Sequence, residues 1–214
     1  DTRPAPPIPT TRAPISGSIA RVREGDGVPV VSHSTTPVGF VLSAADNGSF
    51  MLRGDAPHPA CPACGLATAR DWVDPAFRLT GSRLDASYTY DGYFVASERF
   101  VTVVGERSAT FVDLPSEPGF FAVVPQVAVA FDSERRGTRF DDLCPTCGRY
   151  RSVAGATPAF LRLDGPLPDV IVRTDVEFGS GDERHPLLLV GPDLANRLVA
   201  AALTGIELSP VATT

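Results

Sequence analysis

Four cysteines stand in two short segments, Cys61 and Cys64 in CPACG and Cys144 and Cys147 in CPTCG, and the chain has no fifth. Two thiolates spaced C-x-x-C can hold a metal ion from one side. A glycine directly after the second cysteine lets the backbone turn so that amide groups point at sulfur. Two such turns supply four thiolates, the ligand set of a closed tetrahedral structural zinc site with Zn–S distances of about 2.3 Å. Four protein ligands leave no open position, so such an ion stabilises and does not catalyse. A compact zinc ribbon separates its pairs by about 15–20 residues, whereas Cys64 and Cys144 stand 80 apart. One ion on Cys61, Cys64, Cys144 and Cys147 would therefore staple distant parts of the chain. Three arrangements are open at this level: one zinc shared by all four, two sites each completed by another residue such as His58, and metal-free thiols or C-x-x-C disulfides. The first is the expectation, since only His33, His58 and His185 exist to complete separate sites. A thioredoxin-like redox role would place C-x-x-C at a helix start after a buried strand, and neither pair has that context.

Other candidate chemistry is weaker. Asp141-Asp142 precedes the second pair and reads as a solvated acidic turn. Asp182-Glu183-Arg184-His185 follows Gly179-Ser180-Gly181 and reads as a surface loop. Ser180 lacks the G-x-S-x-G spacing of a nucleophile elbow, and no phosphate-cradling or dinucleotide glycine pattern appears. Tyr88, Tyr90, Tyr93 and Phe94 cluster in one hairpin and read as one core face and one exposed face.

The elements that must position the cysteines are mostly short strands. The first 15 residues carry five prolines and read as an extended arm. SIARV, VPVV, GFVLS and SFML read as strands, with Asn47-Gly48 as a hairpin turn. Trp72, Val73, Phe77 and Leu79 are expected to pack beside the first pair. ASYTYDGYFVA reads as two strands around Asp91-Gly92. Ser97 caps a helix running to Val104, and ATFVDL closes that unit. Phe120–Phe131 should break at Pro125 into two strands, followed by a solvated turn over Asp132–Arg139. FLRLDG, DVIVRT and PLLLV read as strands. Pro192–Leu203 is the clearest helix, with Pro192 in its first turn, Asp193 complementing the dipole, and Leu194, Leu198, Ala201 and Ala202 buried. IELSPV is a terminal strand.

Composition bounds the rest. Of 214 residues 43% are hydrophobic, enough for a real core, and the net charge of −6 disfavours general binding to phosphate backbones. All 19 cations are arginines; a nucleic-acid role would need a local face, with Arg135, Arg136, Arg139, Arg149 and Arg151 the candidates. No apolar run approaches the roughly 18–20 residues of a membrane span. Paired C-x-x-C with no spare cysteine favours metal ligation in a reducing cytoplasm.

The stretches after the two cysteine pairs resemble each other. Phe94-Val95-Ala96-Ser97-x-x-Phe100 lies over Leu188-Leu189-Val190-Gly191-x-x-Leu194, and Ala109–Leu114 lies over Thr204–Ser209. The expected organisation is a Pro-rich arm over 1–15, a β-rich unit with the first knuckle over 16–115, and a second unit with the second knuckle over 116–214. The expected fold class is α+β and β-rich: two pseudo-repeated zinc-knuckle units, each with strands and a short helix, joined at one four-cysteine zinc site.

With CPACG and CPTCG repeated, and with LCPTCGR, RTDVEFG, LLLVGPDLANRL and TGIELSPV in that order, the chain resembles the bacterial double-CXXCG motif family. The likeness is firmest from Leu143 onward. Some members of that family are immunity proteins that neutralise a cognate toxin exchanged between neighbouring cells. The resemblance implies a cytoplasmic, zinc-bound, non-enzymatic protein that binds a toxin domain. A nucleic-acid-associated or scaffold protein with structural zinc is the alternative.

Overall fold

A strand covered on both sides buries alternate residues in different cores, because successive side chains point to opposite faces. The computed structural model, which describes residues 37–212, places such strands throughout a large mixed sheet. The Pro-rich arm over 1–15 and the strands expected at SIARV and VPVV lie outside the described residues. The strands are β1 (Phe40–Asp46), β2 (Ala86–Tyr88), β3 (Phe94–Ser97), β4 (Thr110–Asp113), β5 (Phe120–Val124), β6 (Val127–Val129), β7 (Arg139–Leu143), β8 (Tyr150–Ala154), β9 (Val172–Ser180), β10 (His185–Val190) and β11 (Ile206–Pro210). The helices are short: α1 (Glu98–Val104), α2 (Ser133–Arg136) and α3 (Pro192–Ala200), with one 3-10 turn at Gly181–Glu183. The fold is β-rich, as its sequence indicates.

The sheet runs β4-β5-β3-β2-β1-β10-β9-β8-β7, with β11 on β1 and β6 on β9. Two antiparallel groups of four stand out within it, β2-β3-β5-β4 and β9-β10-β1-β11. Each begins with a hairpin and places a helix directly after the hairpin's second strand. In each, the strand between the hairpin and the closing strand lies outside the hairpin–helix–strand run, directly after it in the first group and far ahead of it in the second. That strand is β5 in the first group and β1 in the second. Both visiting strands then continue into the opposite group. Ala45 and Asp46 pair in parallel with Ser87 and Tyr88, and Val127–Val129 pair in parallel with Val172–Thr174.

One core lies beneath both longer helices, where Phe100 and Val104 of α1 and Leu194 and Leu198 of α3 meet Leu42, Phe94, Ala96 and Val190. Phe100, Leu194 and Leu198 are fully buried, each worth about 1.5–3 kcal/mol of transfer free energy. The other face carries two cores. Val41, Leu189 and Val172 face one with Phe131 and Phe178. Val95 and Ala122 face the other with Met51, Leu52 and Phe77, and Trp72, Val73 and Leu79 pack against it.

The helix signals hold locally. Ser97 Oγ accepts from the Phe100 amide at 3.2 Å and caps α1. Pro192 opens α3, but α3 ends at Ala200, short of Leu203. The chain must turn there so that Thr204 and Gly205 can bond Ala86 and Ala45 across the sheet, at 3.2 and 2.8 Å. Gly205 sits at φ +84°, and a Cβ there would lie 2.2 Å from the Ala86 carbonyl oxygen. As a result Ala202 is exposed while Leu203 is buried.

Several expectations are corrected. SFML forms no strand, and Asn47-Gly48 makes no hairpin. The edges of β1 are taken by β10, β11 and β2, and the Met51 and Leu52 amides donate to the Asp91 carboxylate at 3.0 and 2.6 Å. FLRLDG makes only isolated bridges at Phe160 and Leu161. Asp132–Arg139 is not one turn: Asp132 caps α2 through the Arg135 amide at 3.2 Å, and β7 follows. β9 runs through Gly179 and Ser180, because β8 pairs with them.

Candidate metal centre

Each C-P-x-C-G segment folds into the same tight turn. In the first, the Gly65 amide donates to the Cys61 carbonyl at 2.8 Å and the Cys61 amide to the Leu66 carbonyl at 2.9 Å. In the second, the Gly148 amide donates to the Cys144 carbonyl and the Cys144 amide to the Arg149 carbonyl, both at 2.9 Å. Gly65 and Gly148 close the turns at φ +77° and +69°, a region that side chains with a Cβ rarely occupy. The turns aim two amides at the leading sulfur, from Ala63 and Cys64 onto Cys61 and from Cys147 and Thr146 onto Cys144.

The two turns meet. Cys61 Sγ lies 4.0 Å from Cys144 Sγ, Cys64 Sγ lies 3.7 Å from Cys147 Sγ, and all four sulfurs fall within 4.8 Å of one another. Sulfurs placed tetrahedrally 2.3 Å from one ion stand about 3.8 Å apart, so the cluster has the dimensions of a four-thiolate metal site. All four cysteines are free thiols, and the separations are about twice a disulfide bond. The reading with two separate sites does not fit, since the sulfurs share one cluster and the His58 ring lies instead tilted against Trp72 at 5.7 Å. Among the described residues this is the one group of cysteine, histidine or carboxylate side chains close enough to hold a metal ion. Asp141 and Asp142 lie outside it, exposed on β7.

The electrostatics suit a site for a cation. The Cys147 and Thr146 amides lower the Cys144 thiol to about 6, and the Ala63 and Cys64 amides lower that of Cys61. The Leu66 amide acts downward on Cys64 too, but burial and the neighbouring thiols push it up to about 12. Four thiolates cannot ionise side by side without a cation between them, and a bound metal deprotonates its thiols outright.

Arg149 locks the turns together, a role its position right after CPTCG does not announce. Its guanidinium donates to the carbonyls of Ala67 at 2.7 Å and Thr68 at 3.4 Å, just past the first knuckle. Arg136 Nε donates to the Thr157 carbonyl at 2.6 Å, and Arg135 lies over the Phe160 ring at 4.3 Å. Three of the five arginines considered for a nucleic-acid face thus have partners within the chain, although Arg135 stays exposed. The segment Asp182–His185 is also no simple surface loop: Arg184 is 4% exposed and paired with Glu177, and His185 packs on Tyr88 at 5.0 Å. No helix among the described residues is long and apolar enough to cross a membrane.

No protein-family model matches this chain, and no curated protein matches it.

Proposed function

We propose that the chain is a zinc-stapled, non-enzymatic cytoplasmic protein that binds and neutralises a cognate bacterial toxin. The observation that carries the zinc assignment is the convergence of four sulfurs from two turns 83 residues apart at tetrahedral spacing. An all-thiolate tetrahedral set selects zinc or an iron–sulfur centre among common metals, and amides directed at the leading sulfurs suit a structural zinc knuckle. Closed coordination gives the ion a structural role. The toxin-binding role rests on the resemblance to the double-CXXCG motif family in Leu143–Val211.

Duplication belongs to the same reading. The knuckles, the hairpin–helix–strand blocks and the visiting strands correspond in order, and β1 and β5 would be the first strands of two copies, exchanged between them. This arrangement interlocks the halves at the sheet, as the ion does at the knuckles.

The edge strand β7 is the surface we assign to the toxin. It pairs with β8 alone among the described residues, and all five of its residues are exposed, including Phe140, Leu143, Asp141 and Asp142. Acidic side chains around exposed apolar ones suit a basic partner. The test is co-expression with the product of the adjacent gene. A complex, protection from toxicity, and loss of both in Asp141→Arg with zinc retained would support the proposal. No complex and no protection would end it.

A further inference from the structure

Two guanidinium groups outside the sulfur cluster flank the Glu177 carboxylate, and two more border the same space. Arg184 Nη2 donates to Glu177 Oε2 at 2.8 Å, and Arg70 Nε stands 3.8 Å from Glu177 Oε1. Arg149 and Arg173 border the same space, and neither has a carboxylate partner among the described residues. The Arg149 donors go to the backbone, as described above, and among the described residues Arg173 donates only to the carbonyl of adjacent Thr174, at 3.2 Å. Arg184 is 4% exposed, and its Nε, like that of Arg70, is buried with no hydrogen-bond partner among the described residues. Buried guanidinium donors are rarely left without an acceptor, because the lost hydration is not replaced.

These arginines line two adjoining hollows of about 650 and 330 Å³, which share Arg149, Arg173 and Glu177. The larger has an apolar wall of Tyr88, Phe94, Val123 and Leu188 and the volume of a small-molecule site. Asp71 and Asp175 also border the space, but Asp71 is exposed and Asp175 accepts from the Phe131 amide at 2.9 Å. Four arginines against three carboxylates leave a positive lining in a chain of net charge −6.

We propose that this hollow binds a small oxyanionic ligand, a carboxylate or phosphate carried on an apolar body. Arg173 and Arg149 take the anion, with Arg184 and Arg70 supplying positive field behind them, and the body lies against Tyr88, Phe94 and Val123. Guanidinium forks match both planar carboxylates and phosphates. Phe140 of β7 borders the smaller hollow, but the anion site does not depend on the toxin-binding role.

The test is calorimetric titration of the full, metal-loaded chain with phenyl phosphate and benzoate, using benzyl alcohol as the neutral control. One saturable site for at least one anion is expected, with benzyl alcohol at least about tenfold weaker. The relative affinities of phenyl phosphate and benzoate identify the head group. Arg173→Gln should weaken the anion at least about tenfold while keeping the metal and the unfolding midpoint, since no carboxylate loses its partner. Arg197→Gln, which breaks the Arg197–Asp169 pair on α3, should leave binding unchanged. Absence of saturable binding by either anion, equal affinity for benzyl alcohol, or full affinity in a folded Arg173→Gln protein would each overturn the proposal.

Discussion

If one ion joins both knuckles, breaking either knuckle should cost the same, because each break opens the same loop. Cys61 and Cys144 are 83 residues apart, and a cross-link closing a loop of that length lowers the entropy of the unfolded chain by about 4.5 kcal/mol at 25 °C. A whole domain is stable by only about 5–15 kcal/mol. With a urea slope of about 2 kcal/mol/M, the midpoint should fall by about 2 M. Trp72 is the one tryptophan and its ring packs against that of His58, just before the first knuckle, so its fluorescence reports unfolding there. Urea unfolding of reduced Cys61→Ser and Cys144→Ser proteins should show matched losses, with chelation of the wild type giving a similar fall. A wild-type midpoint in Cys144→Ser, or a large loss confined to Cys61→Ser, would refute the shared staple.

Asp85 ties the start of β2 to the turn after α3. Its carboxylate accepts from the Thr204 amide and hydroxyl, from Ser97 and from Arg99, at 2.7 to 3.0 Å. Burial alone would raise its pKa, yet the Thr204 and Ser97 hydrogen bonds and Arg99 outweigh burial and hold it below the usual carboxylate range. Its stabilisation is therefore present above about pH 4, the unfolded value, and disappears as pH falls through the lower folded value. Asp85→Asn should cost about 1.5–3 kcal/mol at pH 7, and melting midpoints of the two proteins should converge toward pH 2; a gap independent of pH would contradict the assignment. Phe100→Ala, which empties the core between α1 and α3, should cost about 3–5 kcal/mol in urea unfolding. Gly205→Ala should destabilise as well, read as a lowered melting midpoint, because the new Cβ meets the Ala86 carbonyl and φ is positive.

Local signals were readable because local chemistry set them. The Ser97 cap, the break at Pro125, the Asp91-Gly92 hairpin and the α3 start each follow from one or two residues whose conformational preferences nothing nearby opposes. The knuckles were readable as motifs, and the glycines after Cys64 and Cys147 announced their turns. Pairings across the chain were not readable. Nothing in GFVLS says that β1 will lie between β10 and β11 instead of folding back on SFML; that choice is made by the apolar strands competing for its edges. The arginine cluster was hidden for the same reason. Arg70, Arg149 and the β9–β10 hairpin that carries Arg173 and Arg184 are three distant segments, and Asp182–His185 reads as solvated because its neighbours in sequence are polar, while its neighbours in space are Glu177 and Tyr88.

Metal content and ligation of the reduced, full-length protein test the central claim most directly. Elemental analysis should return one zinc per chain, and X-ray absorption should show four sulfur scatterers at about 2.3 Å with no nitrogen or oxygen in the first shell. Two zinc ions, a shell containing nitrogen or oxygen, or metal-free folded protein would contradict it.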